Sequence, residues 1–189
     1  MRTRTLGVVL FPEFELLDVF GPLEAFGHLH DHYRVVLVAA EPGAVASAQG
    51  PRAVADHGFA DCPHLDVLLV PGGIGTRREV ENHALLDWLA QRAAEAEAVT
   101  SVCTGSALLA RAGLLDGRHA TSDMRAFRWI VSQGPAVKWV RRARWVDDGK
   151  FVTSSSVSAG IDMALHVIAR TVDQRTSERL ARRVERLAR

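Results

Sequence analysis

The chain has 189 residues, 48% of them hydrophobic and 24% charged, a globular profile and not that of a disordered or fibrous chain. Area scaling at this length buries roughly 70% of the unfolded surface, so a core forms without disulfide or metal staples. Lys and Arg number 23 against 22 Asp and Glu, for a net charge of +1. That lacks the basic excess of a dedicated nucleic-acid binder, and no run of about 18 apolar residues offers a membrane span.

Thr5 to Phe11 reads as a buried strand stopped by Pro12, too short an apolar run for a signal core. Glu13 to Leu29 carries Leu16, Leu17, Phe20, Leu23 and Phe26 at helical steps. Gly21-Pro22 inside it predicts a break, with one short helix ending near Phe20 and a second opening at Pro22. Tyr33 to Ala40 is a second strand. Glu41 to Pro63, rich in Ala, Gly and Pro, holds a small hairpin at most. Asp66 to Val70 is a strand ending in Pro71-Gly72-Gly73-Ile74-Gly75. Asn82 to Ala98 is a helix and Val99 to Val102 a strand. Gly105 to Leu115 is a helix closed by Leu114-Leu115-Asp116-Gly117. Met124 to Ser132 is a short helix, and Ala143 to Ser154 a hairpin turning at Asp147-Asp148-Gly149. Ser158 caps a helix over Ala159 to Val172, and Ser177 to Leu187 forms the last helix. Strands that alternate with helices and are apolar on both faces predict a mostly parallel sheet with helices on both faces. This is an α/β sandwich, in a single domain over 1–189.

Ligands of open parallel sheets bind outside the carboxyl ends of the strands. Ser101-Val102-Cys103-Thr104-Gly105-Ser106 is a strand, a cysteine and a glycine-opened helix. That sequence suits a nucleophile elbow. The helix N-terminus behind the thiol predicts a lowered pKa for Cys103; the plainer alternative is a buried core cysteine. The glycines after Pro71 let backbone N–H groups of Gly72, Gly73 and Ile74 approach a ligand as oxyanion donors, or serve as a simple strand-to-helix turn. No nucleotide-loop spacing is present. Asp18, between Leu17 and Val19, either sits buried facing Cys103 with a raised pKa and a proton to exchange, or lies at the surface.

Together these segments carry a resemblance. Phe11-Pro12-x-Phe14-Glu15-x-Leu17-Asp18-Val19-x-Gly21-Pro22-Leu23-Glu24, Val70-Pro71-Gly72-Gly73, Val102-Cys103-Thr104-Gly105, Ala112-Gly113-Leu114-Leu115-Asp116-Gly117 and Ser158-Ala159-Gly160-Ile161-Asp162 resemble the ThiJ/PfpI superfamily. That superfamily is class I glutamine-amidotransferase-like. Within it the likeness is to the isonitrile-hydratase-like branch, whose domain also opens a group of arabinose-type transcription activators. The resemblance implies a flavodoxin-like three-layer sandwich, a homodimer, Cys103 as nucleophile, Asp18 as its acidic partner and Gly73 as a backbone donor. Thr104 stands where family peptidases and glyoxalase-like members carry histidine, which argues against a Cys–His pair. After Ala120-Thr121 the branch continues Thr-His-Trp, whereas this chain reads Ser122-Asp123-Met124. A carboxylate thus replaces an imidazole beside the site, and Asp123 becomes a candidate lining residue.

The implied activity is cysteine-dependent hydration of small isonitriles to formamides, with no cofactor, no metal, no nucleic acid and no membrane. Alternatives are a ligand- or oxidation-sensing domain and a glyoxalase- or deglycase-like repair enzyme. The activators carry an added helix-turn-helix domain, for which these residues leave no room. The cysteines, Cys62 and Cys103, form no CxxC pair and read as reduced cytoplasmic thiols. The cluster His28, His30 and His32 reads as solvated loop residues. The C-terminal arginines, with Glu178–Arg182 and Glu185–Arg189 spaced i, i+4, read as a solvated helix face. Trp129, Trp139 and Trp145 fit a pocket, a dimer face or the core equally.

Overall fold

The computed structural model describes residues 2–187, with side chains through 184. In chain order the elements are β1 (Arg4–Val9), α1 (Leu16–Gly27), β2 (Tyr33–Val38), β3 (Gly43–Ala46), β4 (Arg52–Ala55), β5 (Val67–Val70), α2 (Thr76–Glu79), α3 (His83–Glu95) and β6 (Ala98–Val102). They continue with α4 (Gly105–Arg111), β7 (His119–Ala120), α5 (Phe127–Gln133), β8 (Lys138–Trp139), β9 (Trp145–Asp148), β10 (Phe151–Ser154), α6 (Val157–Thr171) and α7 (Gln174–Leu187).

The main sheet runs β2-β1-β5-β6-β10-β9. Its neighbours pair in parallel except β10 with β9, which form the hairpin expected at Gly149. β5 and β6 are buried along their whole length, as continuous apolar strands covered on both faces must be. β5 lies between β1 and β6, with Val8 opposite Leu69 and Val70 opposite Ser101, and Ser154 of β10 lies opposite Val102. The carboxyl ends of β1, β5, β6 and β10 therefore sit side by side. The fold is the flavodoxin-like sandwich expected, with β3 and β4 as the side hairpin.

Several local expectations are corrected. The predicted break at Gly21-Pro22 is absent, and α1 runs unbroken with Pro22 inside it. Packing overrides the local cost. A Cβ on Gly21 would lie 3.3 Å from Ile161 Cγ1, and one on Gly160 would lie 2.9 Å from Val102 and 3.6 Å from Pro22 Cγ. α1 and α6 thus approach closely through their glycines. α4 ends at Arg111, before the predicted Leu115. Gly113 has φ 75°, its N–H donates to Ala110 O (2.9 Å), and Leu114 N–H donates to Leu109 O (3.0 Å). These bonds form the glycine-dependent Schellman stop. The cap of α6 is Ser156, whose Oγ accepts from Ala159 N–H at 3.3 Å, and not Ser158. α5 starts late because Asp123 Oδ1 first accepts from the N–H groups of Arg125 (2.8 Å) and Ala126 (3.1 Å). α2 and the short β7–β8 pair carry no clear periodicity and were not expected.

Glu178 accepts from Gln174 Nε2 at 3.0 Å, and no ion pair with Arg182 forms among the described residues. Glu185–Arg189 and the Leu187 side chain lie outside the described residues. His28 pairs with Glu24 at 3.1 Å. Among the described residues, no three His, Cys, Asp or Glu side chains gather to hold a metal ion, and no helix is long and apolar enough to cross a membrane.

Candidate active site

β6 runs directly into the Cys103 turn. Cys103 has φ 50°, a left-handed conformation that stores about 1–3 kcal/mol of strain in a residue with a Cβ. Its neighbours hold it there. The Cys103 N–H donates to Ser154 O (3.0 Å), and the Cys103 carbonyl accepts from Ser122 Oγ (2.7 Å) and Ser106 Oγ (3.3 Å). Ser122 is fully buried and braces the elbow. In the sequence it stands out only as a departure from the branch pattern.

Asp18, in the first turn of α1, is fully buried. Its Oδ2 accepts from Gly72 N–H at 2.9 Å, while Oδ1 has no donor aligned on it. Burial pushes the carboxyl up to about 7. The neighbouring Cys103 thiol and the Gly72 N–H pull it back, and Glu15 and Asp123 push it further up. The thiol is pushed up as well, first by burial, then by Asp18, with Asp123 and Glu15 acting in the same sense. The expected lowering of the Cys103 pKa is therefore overturned: burial and surrounding acids outweigh the N–H groups at the start of α4. The resting pair is a thiol beside a carboxyl that exchanges protons near neutrality.

The loop after β5 needs its glycines because the loops after β1 and β6 press against it. A Cβ on Gly73, at φ 129°, would lie 2.4 Å from Glu13 O, and one on Gly72 would lie 2.6 Å from Thr104 Oγ1. Gly72 and Gly73 do not present free donors, contrary to expectation. The Gly72 N–H is held by Asp18, and the Gly73 N–H donates to Thr104 Oγ1 at 3.0 Å. Thr104 also accepts from Thr76 Oγ1 (3.2 Å), so its hydroxyl ties the β5 and β6 loops together. Among the described residues, the N–H groups of Ile74 and Thr104 have no acceptor. Both residues line the cleft.

That cleft, about 730 Å³ in volume, contains Cys103, Asp18, Thr104 and Ile74, as well as Asp123, so the structure brings the predicted residues together. No histidine lines it. Asp123 is 8% exposed; besides its backbone donors, it accepts from Arg125 at 3.4 Å. Glu15, Arg77 and Ser156 also line the cleft and were not legible in the sequence. Glu15 takes both oxygens to Gln49 Nε2, at 2.9 and 3.0 Å. Ser156 arrives because β10 neighbours β6.

An isonitrile hydratase of Pseudomonas putida is 37% identical over 173 residues, covering 92% of this chain and 74% of that protein. The HTH-type transcriptional regulator GbdR of Pseudomonas aeruginosa is 30% identical over 172 residues; the match covers 88% of this chain and 46% of the regulator. A solved THiJ/PfpI family protein from Pseudomonas syringae superposes with a TM-score of 0.90 at 33% identity, over 98% of this chain and 76% of that one. The profile of the DJ-1/PfpI family matches residues 4–170. With the strained cysteine elbow and its buried acid in one cleft, the chain belongs to the DJ-1/PfpI family.

Proposed function

We propose that the chain hydrates small isonitriles to N-substituted formamides, with Cys103 as nucleophile and Asp18 as proton carrier. One observation carries this: the buried carboxyl of Asp18 neighbours the elbow thiol, and no histidine lines the cleft. The isonitrile carbon is a soft electrophile that suits sulfur. As Cys103 Sγ bonds to it, the thiol proton passes to Asp18 and then to the same carbon, giving the thioimidate R–N=CH–S–Cys103. Asp18 next takes a proton from water as its oxygen adds to that carbon and passes that proton to the nitrogen, giving R–NH–CH(OH)–S–Cys103, whose hydroxyl proton is the one left to reach sulfur. Collapse breaks the C–S bond, returns the proton to sulfur and releases R–NH–CHO. Isonitrile and water are the only reactants consumed. A carboxyl poised near neutrality suits a group that must both accept and donate. Thr104 positions the loops, and the N–H groups of Ile74 and Thr104 offer donors to charge developing on the substrate.

Support comes from the 37% identical hydratase. The test is formamide formation from an aryl isonitrile, with Cys103→Ala as control. Turnover in wild type alone is expected, and full activity in Cys103→Ala would overturn the mechanism. A sensing role is the second reading, favoured by the 30% identical regulator. Under it, Cys103 alkylates or oxidises stoichiometrically without any turnover. We further propose a reducing compartment, the cytoplasm, for the chain and its two free cysteines. We also propose the homodimer that the family resemblance implies.

A further inference from the structure

The cleft around Cys103 is edged by charged side chains, and their partners differ. Glu15 is held by Gln49. Asp123 is held by backbone N–H groups and by Arg125. Arg77 lines the same cleft but forms no ion pair among the described residues. Its chain neighbour Arg78 pairs with Glu13 and Glu79, each at 3.2 Å. The Arg77 guanidinium instead lies 3.7 Å from the centre of the Trp129 ring, well inside cation–π range. Trp129 is half-buried and packs on the core, so the stack fixes the guanidinium at the cleft wall and leaves its edge N–H donors unused. A planar fork held in place with open donors is the arrangement that binds a carboxylate.

We propose that Arg77, stacked on Trp129, is the anion-recognising residue of the cleft and selects substrates bearing a carboxylate remote from the reacting carbon. This deepens the Cys103 substrate-site reading and rests on it. Glu15 and Asp123, whose charges push Asp18 and Cys103 up, oppose an anion close to the thiol, which is why the substrate carboxylate has to be remote from the reacting carbon. Trp129 supplies the platform, and Arg77 the recognition.

The experiment compares 4-isocyanobenzoate with 4-isocyanobenzamide, the neutral analogue, in wild type and Arg77→Gln. Arg77 is exposed, and one charge-assisted hydrogen bond at such a site predicts that Arg77→Gln raises KM for the carboxylate about tenfold. The expected change in kcat is small, and KM for the amide should rise far less than KM for the carboxylate. Arg77→Lys keeps the charge without the fork and should fall between. Equal changes on both substrates, or none, would overturn the proposal. A second arm does not need turnover: protection of Cys103 from iodoacetamide by benzoate against benzamide, read by mass spectrometry on the Cys103 peptide. Benzoate should protect wild type better than Arg77→Gln, by a wider margin than benzamide does. If neither isonitrile is hydrated, the hydratase reading fails and the protection arm decides alone. Benzoate protecting both proteins alike, or neither, would sink the anion site.

Discussion

Cys103 and Asp18 share the proton problem that defines the site. Both are buried, and burial pushes both pKa values up, so the thiol waits protonated until a carboxylate can take its proton. Attack therefore needs ionised Asp18. The rate kcat/KM is expected to rise with pH through a limb near 7, set by Asp18, and then to level off. Asp18→Asn should lose that limb and fall about 10²–10⁴-fold, the usual worth of a positioned proton carrier. A pH–rate profile of both proteins checks this; an unchanged limb in Asp18→Asn would assign it elsewhere. The same shift bears on stability. The folded carboxyl keeps its proton up to about 7 from an ordinary value of 3.8, so between those pH values the unfolded chain binds fewer protons. Wild-type stability then falls as pH rises through this window. Asp18→Asn, which cannot ionise, should gain on wild type from pH 4 to 7 by a few kcal/mol and no further above it. Urea unfolding at pH 4.5, 6 and 8 reads the trend, and a constant difference would show that Asp18 has no raised pKa.

At the scale of elements, the site is built where three loops crowd. Gly73 has φ 129°, and its missing Cβ leaves space for Glu13 O and Glu15 N. Gly149 also has a positive φ, at 70°, but nothing within 4 Å of a Cβ. Gly149→Ala should therefore lose only backbone strain, about 1–2 kcal/mol. Gly73→Ala should lose more than that, because the β1 and β5 loops must part, and Cys103 alkylation should change with it. Denaturant midpoints and alkylation rates of the two variants separate strain from crowding; equal losses would remove the crowding argument. These glycines and the elbow cysteine were legible because strand-end chemistry is local: an apolar run, a turn and a helix start are neighbours in sequence. The hairpin at Gly149 was legible for the same reason. The continuity of α1 was not, because Gly21 and Pro22 answer to Ile161 and Gly160, far away in the chain. The thiol's raised pKa was missed likewise: the sequence shows the helix start behind Cys103 but not the acids folded over it.

For the whole molecule, strand order is what sequence pattern left open, and it is what makes the site. Only with β5 between β1 and β6 do Asp18, the glycine loop and Cys103 meet. The folded surface of 8920 Å² is that of a compact chain of this length, about 8,900 Å² by area scaling. The outer face of α1, however, exposes Leu17 at 53% and Phe20 at 41%, one helical turn apart. Leu17 and Phe20 together offer a small apolar face on the helix that carries Asp18. A second copy of the chain is the occupant expected from the family resemblance. Wild type should then sediment at twice the 20.6 kDa of one chain, and Phe20→Glu should shift it toward the single-chain mass. Val54→Glu, at a position 63% exposed on the side hairpin, should leave the mass unchanged. Because α1 also carries Asp18, loss of the dimer should loosen the helix that holds the proton carrier. Phe20→Glu is thus expected to lower activity from outside the cleft, in proportion to the monomer formed. Wild type sedimenting as a single chain, or Phe20→Glu remaining dimeric, would show that the α1 face does not join two copies.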